Sequence, residues 1–293
     1  MQVQQRIEET GMQNIRSKIH GEMDHPYLSS IIEQPTPDKL QLTLSEAICT
    51  AAGLSKKETE VIVSTLLLIY HGLAVHEEIE WLARHADERH RQLGVLAGDY
   101  YSSKYYRLLA ESGQIQLIGH FALAIQTINE VKAELVRAPV DFTLDVERYL
   151  QMQEKIHATL LHALRMALVP HQPQWEALVS HLVRAHVLKA ELEKMSASTW
   201  TRHAANLSLW QQATNEEKKW LKAIKASDER DNRIMSLYVK YGTSTYLFSL
   251  LEAAAALAKP EMVVADGASE ELRNLLEQLF APDALPRRVC EEG

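Results

Sequence analysis

The run "VIVSTLLLIYHGLAV", from Val61 to Val75, decides the fold class of the chain. Its residues are apolar on nearly every side of a helix, and a helix-start signal precedes it, with Ser55 three residues before Glu58. A helix that is apolar on all sides is stable only where other helices bury it. The run therefore predicts the central helix of an all-α bundle.

The composition of the chain also favours helices. The chain has 293 residues but only 11 Gly and 9 Pro, and 6% of its residues are aromatic. So few chain breakers are typical of long helices rather than of a sheet-rich fold. Apolar residues recur at helical spacing along most of the chain, as at Leu117, Phe121, Ala124 and Ile128. We expect about eight to ten helices.

Local signals indicate where some of these helices begin. Two hydroxyl residues each precede a glutamate by three positions, Thr43 before Glu46 and Thr214 before Glu217. This spacing is typical of a capping box, in which the two side chains bind each other's backbone N–H groups. We therefore predict helix starts at both places.

The domain organisation follows from the distribution of polar and apolar residues. We expect a loosely ordered arm over residues 1–37, one all-α bundle over 38–259, and a tail over 260–293 with one short helix. Glycines inside the bundle predict a break in one helix, near Gly94 or Gly98.

The charge balance and the cysteines limit the function classes. The 31 basic and 39 acidic side chains give a net charge of −8, and no basic stripe indicates a nucleic-acid binder. Cys49 and Cys290 form no disulfide framework and no metal-binding spacing, which is typical of a reducing compartment. The N-terminus lacks the apolar core of a signal peptide, and no uncharged apolar run reaches about 18 residues. We expect a cytoplasmic protein without a membrane span.

Acidic residues cluster directly after the apolar run, in "HEEIEW" from His76 to Trp81. Residues i, i+3 and i+4 share one face of a helix, so an Asp-Asp-x-x-Asp series aims its carboxylates at one place. Oxygen ligands of this kind suit Mg²⁺, which takes the rest of its shell from water and diphosphate oxygens. The segment resembles the first aspartate-rich motif of the trans-polyprenyl diphosphate synthases, with Glu77 and Glu78 in place of two aspartates. Trp81 stands in place of the third aspartate and cannot bind a metal.

Later segments carry the same resemblance. "LAGDYYSSKYY", from Leu96 to Tyr106, is similar to the family's "LAGDYLLARA" helix, with Asp99 at its aspartate. Glu134 matches a glutamate of the next helix, and Lys155 matches a lysine of the helix after that. The second aspartate-rich motif is matched best by "HVLKAELEK", from His186 to Lys194.

The second motif is as degenerate as the first. Ala190, Glu191 and Lys194 hold the positions of its three aspartates. A chain with the fold markers of the family but without its metal ligands closely resembles the component 1 family of heptaprenyl diphosphate synthases. These are the small subunits of two-component bacterial enzymes.

The resemblance implies an isoprenoid-synthase-like bundle that has no catalytic residue and binds no metal by itself. It implies an accessory subunit whose partner is the catalytic component 2 chain, with Mg²⁺ present in the assembled complex. That complex would condense isopentenyl diphosphate onto farnesyl diphosphate for the menaquinone side chain. Lys155 is then a possible diphosphate contact, and Asp99 and Glu134 match structural residues of the family. Because Asp99 stands among apolar residues, we expect it to be a hydrogen-bonded packing residue. Gly72 stands where a small residue leaves room for a long product.

The resemblance also predicts the interface with the partner. The family pairs through the helices that correspond to "LAGDYYSSKYYRLLAE" and the segment after it. These helices carry more aromatic residues than their own packing requires, and we expect those residues to contact the partner, because large obligate interfaces are as apolar as a protein core. The expected interface residues are Tyr100, Tyr101, Tyr105, Tyr106 and Phe121.

Three other interpretations stay open. Glu77 and Glu78 fit the solvated end of a helix as well as a former metal site, and Lys155 fits a surface salt bridge. Glu154 and His157 have the Glu-x-x-His spacing of the metal ligands in di-iron helical bundles, and Asp87 and His90 have a related Asp-x-x-His spacing. The chain could therefore be a self-sufficient metal-dependent enzyme, either a glutamate-based prenyltransferase or a di-iron oxidase, or a helical scaffold unrelated to isoprenoids.

Overall fold

The regular structure of the described residues is entirely helical. The computed structural model describes residues 15, 17–25, 38–82, 88–138, 142, 144–195, 202–224, 232–264 and 270–279. After a helical segment at 17–23, eleven helices follow in these ranges: α1 (Lys39–Ala51), α2 (Lys56–Leu82), α3 (Glu88–Glu111), α4 (Ile115–Arg137), α5 (Val146–Leu168), α6 (Gln174–Met195), α7 (Ala204–Gln212), α8 (Asn215–Ala223), α9 (Asn232–Lys240), α10 (Thr243–Val264) and α11 (Glu270–Leu279). The all-α prediction is confirmed.

Two of the three predicted helix starts are confirmed. Ser55 and Glu58 bind each other at the start of α2, with the serine hydroxyl donating to the carboxylate over 2.6 Å. A full capping box joins Thr214 to Glu217 at the start of α8. The start predicted at Thr43 is wrong, because α1 begins at Lys39 after Asp38, whose carboxylate accepts a hydrogen bond from the Gln41 N–H over 2.8 Å.

The predicted central helix is confirmed in α2. Every residue from Ile62 to Ile69 is buried. Next along the helix, Gly72 faces α3, and a Cβ at Gly72 would lie 3.7 Å from the carbonyl oxygen of Gly98. The two helices therefore pack closely at this point, at a distance that still leaves ordinary van der Waals contact for one added methyl group.

The break predicted near Gly94 or Gly98 is wrong. Helix α3 runs without interruption from Glu88 to Glu111 and ends where Gly113 takes a positive φ of 74°. At this end Gln114 donates its N–H to the carbonyl of Leu109, which is how a glycine terminates a helix. Gly98 is buried against α2, so packing holds the helix together where the isolated sequence favours a break.

The described residues divide into two compact units, and the first falls within Met1–Ile125 and Leu160–His171. It contains α1, α2, α3, the beginning of α4 and the end of α5. Its core is made of apolar side chains from all of these helices, among them Leu44, Ile48, Leu66, Leu67, Tyr101, Leu109, Phe121 and Leu161.

The second unit falls within Gln126–Thr159 and Gln172–Gly293. Helix α6 packs along α10, and the buried side chains include Trp175, Leu182, Leu188, Leu207, Tyr238 and Leu251. The hydroxyl of Tyr238 donates to the side-chain oxygen of Asn206 inside this core.

The C-terminal half contains more helices than its sequence predicts. The run that starts at Thr214 divides into α8, α9 and α10, so the predicted range of about eight to ten helices is slightly too low. Helix α10 continues past Pro260 to Val264, and α11 is the short helix predicted for the tail. The division into arm, bundle and tail stays a prediction.

None of the described helices combines the length and the apolar character that a membrane crossing requires.

Candidate functional site

Glu191, the carboxylate that remains at the second motif, lies inside the protein. Its exposed fraction is 1%, and it stands near the end of α6 between the half-buried Ala190 and the buried Leu192. A buried carboxylate is stable only where hydrogen bonds or an opposite charge replace its lost hydration. Glu191 has both.

Three groups bind the Glu191 carboxylate. The Tyr149 hydroxyl from α5 donates to Oε1 over 3.2 Å, and the Lys194 ammonium donates to the same oxygen over 2.5 Å. The other oxygen, Oε2, accepts the backbone N–H of Ala204 over 2.6 Å. Ala204 is the first residue of α7, so the carboxylate also lies at the positive end of a helix dipole.

The same environment acts on Tyr149. Burial, followed by the negative charge of Glu191, raises the pKa of the Tyr149 hydroxyl well above its ordinary value. The tyrosine therefore stays protonated and donates to the carboxylate at any physiological pH.

These residues do not fit a divalent cation. Mg²⁺ requires several oxygen ligands around it, and aspartates normally supply them in a series along one helix face. Here both oxygens of Glu191 already accept hydrogen bonds, Ala190 has no ligand atom, and Lys194 places a positive charge where a carboxylate would be needed. The residues at the position predicted for the second motif thus form a hydrogen-bond cluster that does not suit a divalent cation.

Sequence reasoning did not find Tyr149 or Ala204 as partners of Glu191. Tyr149 and Glu191 are 42 residues apart in the chain, and Glu191 and Ala204 are 13 residues apart. Arg202, beside this cluster, donates to the carbonyls of Leu135 and Ala138 at the end of α4. No local spacing could have indicated these contacts, because packing of separate helices creates them.

The first motif lies in the last turns of α2. Glu77, Glu78 and Trp81 are all within this helix, as the resemblance predicts. Their side chains lie outside the described part of the structure, so the degenerate first motif stays a prediction.

The other family-matched residues lie at the surface. Glu134 forms an exposed ion pair with Arg148 over 2.8 Å. Lys155 is exposed on α5, and no side chain in the described residues pairs with its ammonium group. The expectation that Asp99 is buried is wrong, because its side chain is exposed on the face of α3 opposite Gly98 and Tyr101.

Most of the aromatic residues predicted for the partner interface lie in the chain's own core. Tyr101, Tyr105 and Phe121 are buried, and Tyr100 is half-buried. Tyr106 is exposed and stacks on Tyr105 with ring centroids 4.2 Å apart. The prediction that Tyr101, Tyr105 and Phe121 contact the partner is therefore wrong, because α3 and α4 bury these side chains inside the chain.

The residues of the di-iron interpretation have other partners. The Glu154 carboxylate accepts a hydrogen bond from Arg184 over 2.6 Å, and His157 lies edge-on to His186 at 5.8 Å. Asp87 lies outside the described residues, as does the side chain of His90. Within the described ranges, no group of three or more His, Cys, Asp or Glu side chains could hold a metal ion.

Known proteins resemble this chain in sequence and in fold. Residues 25–235 match the family model described as heptaprenyl diphosphate synthase (HEPPP synthase) subunit 1. The chain is 38% identical over 126 residues to heptaprenyl diphosphate synthase component 1 of Geobacillus stearothermophilus. That match covers 42% of this chain and 53% of the relative, so it spans about half of the relative's length.

The fold is similar to that of solved polyprenyl synthases. A decaprenyl diphosphate synthase from Rhodobacter capsulatus superposes with a TM-score of 0.74 at 15% identity, over 94% of this chain and 98% of that one. A polyprenyl synthase from Caulobacter crescentus CB15, solved with calcium and isoprenyl diphosphate, superposes with a TM-score of 0.76 at 15% identity, over 94% and 96% of the two chains. At this identity the likeness establishes the fold alone. The family match over 25–235 covers the aspartate-rich positions and the "LAGDYYSSKYY" helix, and the chain belongs to the heptaprenyl diphosphate synthase subunit 1 family.

Proposed function

We propose that this chain is the non-catalytic accessory subunit of a two-component, long-chain polyprenyl diphosphate synthase. One observation carries the proposal. The fold is shared with polyprenyl synthases, but both oxygens of Glu191, the carboxylate at the predicted second aspartate-rich motif, accept hydrogen bonds from groups of this chain.

On this proposal, the chain alone does not catalyse the reaction because it lacks the carboxylates that would hold cations against the leaving diphosphate. Ionising an allylic diphosphate requires cations that stabilise the leaving group, and a synthase holds them with carboxylates on facing helices. Glu191 cannot turn toward a cation without removing the acceptor of the Tyr149 O–H and of the Ala204 N–H. Losing one well-placed electrostatic stabiliser typically costs ~10²–10³ in rate, and this chain lacks several.

The catalytic groups then belong to a partner. The partner is a full-length polyprenyl synthase with intact aspartate-rich motifs, and it holds the Mg²⁺ of the complex. The substrates are farnesyl and isopentenyl diphosphate, and the product is the precursor of the menaquinone side chain in the cytoplasm. The name of the Geobacillus relative, a component 1, supports the presence of a second component.

The test is a reconstitution assay. Labelled isopentenyl diphosphate, farnesyl diphosphate and Mg²⁺ are supplied to this chain alone, to the catalytic chain alone and to the mixture. We expect product above the level of the catalytic chain only in the mixture, with the same rate when this chain carries Glu77→Gln.

Product formed steadily by this chain alone and abolished by Glu77→Gln would contradict the proposal. It would favour a self-sufficient, glutamate-based synthase. Glu111→Gln is the matched control, since Glu111 is an exposed helical glutamate away from both motifs.

A further inference from the structure

The exposed side of α10 is apolar along most of its length. Its exposed apolar and aromatic residues are Tyr246, Ala253, Ala256, Leu257, Pro260 and Val263. Leu257 and Val263 are exposed by 55% and 85%. Single exposed apolar residues are common on proteins, but a continuous stripe of them marks an interaction site.

The spacing along this stripe is that of a coiled-coil seam. Two sets of exposed residues each recur every seven positions, and the sets alternate three and four residues apart. They are Tyr246, Ala253 and Pro260 in one set, and Ser249, Ala256 and Val263 in the other. Such a pattern keeps one narrow stripe of a helix in contact with a partner helix. The stripe therefore fits a second helix that lies along α10.

The two sides of α10 pack differently. The opposite side is buried through Leu247, Leu251 and Ala258, and it packs along α6. On the exposed side, Ala253 and Ala256 lie at the middle of the stripe. Side-chain size at the contact sets the distance between two packed helices, so two alanines there let another helix approach closely.

Two opposite charges border the stripe along one edge. Glu252 and Lys259 are both exposed and are seven residues apart, so they hold the same position of the repeat. A two-fold axis perpendicular to the helix reverses its direction but keeps this edge on the same side of the pair. An axis that passes between Ala255 and Ala256 therefore places Glu252 of one copy beside Lys259 of the other, and does so twice by symmetry.

These charges favour one arrangement of two copies. In a parallel pair, the position of Glu252 lies beside that of Leu257 on the second helix, and neither charge gains a partner. The antiparallel pair satisfies both charges. The stripe is thus complementary to itself, which a two-fold dimer requires and a contact with an unrelated protein does not.

We propose that two copies of this chain associate through the exposed stripe of α10, antiparallel, with Glu252 of each copy paired to Lys259 of the other. This contact goes beyond the accessory function and does not depend on it. One pair of helices buries less surface than a standard protein interface, so the dimer of the isolated chain forms in a concentration-dependent way. In a two-component synthase the same contact joins two complexes.

Sedimentation velocity of the purified full chain, from micromolar to near-millimolar concentrations, measures this self-association. Glu252→Lys and Lys259→Glu each turn two attractive contacts into repulsive ones, and each is expected to weaken the dimer at least about 10-fold. The double variant that carries both changes restores both pairs and should recover the wild-type affinity. The control Glu277→Lys reverses an exposed carboxylate of α11 and should leave the dimer unchanged. A thermal scan at low concentration checks that each variant is folded.

Three results would overturn this inference. A wild-type chain that stays monomeric would exclude a second copy, and if Glu252→Lys then weakened binding of the catalytic chain, that chain would be the occupant. A dimer that neither single reversal weakens would use another surface. A double variant as weak as the single variants would exclude the antiparallel pairing. These results leave the accessory function standing, because the reconstitution assay tests it separately.

Discussion

His71 is a basic residue that the fold removes from water. It lies on α2 with an exposed fraction of 1%, edge-on to Tyr70, and its Nε2 has no hydrogen-bond partner in the described structure. Burial lowers the pKa of His71 from its ordinary 6.5 to about 4, although the negative charge of Asp38 acts in the opposite direction. The imidazole is therefore neutral in the folded protein at physiological pH.

This residue makes the stability of the first unit depend on pH. Between about pH 6.5 and pH 4 the unfolded chain binds a proton at His71 that the folded chain does not bind. Stability from the neutral imidazole is therefore complete above pH 6.5 and is lost as the pH falls toward 4. At pH 5 we expect a loss of about 2 kcal/mol from this residue.

Urea unfolding of the wild type and of His71→Gln, at pH 7.5 and at pH 5, checks this prediction. The free energy of unfolding should fall less in the variant than in the wild type between the two pH values. His120→Gln is the control, because His120 is exposed on α4. An equal fall in the wild type and His71→Gln would mean that His71 is protonated in the folded protein.

At the scale of helices, Glu191 joins three elements of the second unit. It stands on α6, binds the Tyr149 hydroxyl from α5 and receives the first N–H of α7. The first N–H groups of a helix have no partner within that helix, and capping side chains normally satisfy them. The helix α7 begins after His203, whose side chain makes no capping hydrogen bond, so a residue from another helix does this instead.

Removing this carboxylate should destabilise the protein more than removing its exposed neighbour. Glu191→Ala removes the acceptor of the buried Tyr149 O–H and of the Ala204 N–H, at about 1–3 kcal/mol each. Glu191→Gln keeps an oxygen acceptor and should cost less. The matched variant Glu193→Ala lies two residues along the same helix, is exposed, and should cost less than about 1 kcal/mol.

Chemical unfolding, with hydrogen exchange of the Ala204 amide, separates these outcomes. The amide should lose protection in Glu191→Ala and retain most of it in Glu191→Gln. Equal unfolding free energies for Glu191→Ala and Glu193→Ala would show that the cluster contributes little to stability.

At the scale of the whole molecule, the cluster predicts how the isolated chain responds to substrate-like ligands. A ligand that binds the folded state alone stabilises it by about 2.7 kcal/mol at 100 times its dissociation constant. Mg²⁺ with inorganic diphosphate should stabilise a catalytic polyprenyl synthase in this way. This chain should show no change in unfolding temperature, and elemental analysis should find no stoichiometric iron or zinc.

A thermal scan of each chain with and without Mg²⁺ and diphosphate makes the comparison, and the catalytic chain is the positive control. A clear rise in the unfolding temperature of this chain, suppressed by Glu77→Gln, would place a working metal site at the first motif. A rise suppressed only by Lys155→Gln would indicate that the chain binds diphosphate without a metal at that motif.

The sequence by itself determined the helices and some of their ends. The run from Val61 to Val75 is apolar on nearly every side, so a helix formed from it is stable in water only where other helices bury it. The capping boxes at Ser55 and Thr214 act within three or four residues, and such local signals do not depend on the rest of the fold. The family followed from "LAGDYYSSKYY" for a related reason, because a contiguous motif can be recognised without knowing what it packs against.

Only the tertiary structure decided which way the side chains of these helices face. Helix α3 carries apolar or aromatic residues on both sides, so its periodicity could not show that Tyr101 packs inward and Asp99 outward. The sequence predicts Glu191 as the remnant of a metal site, but its oxygens accept hydrogen bonds from Tyr149 and from the first N–H of α7. Each of these outcomes depends on contacts between residues that are distant in the chain, and no local spacing encodes such contacts.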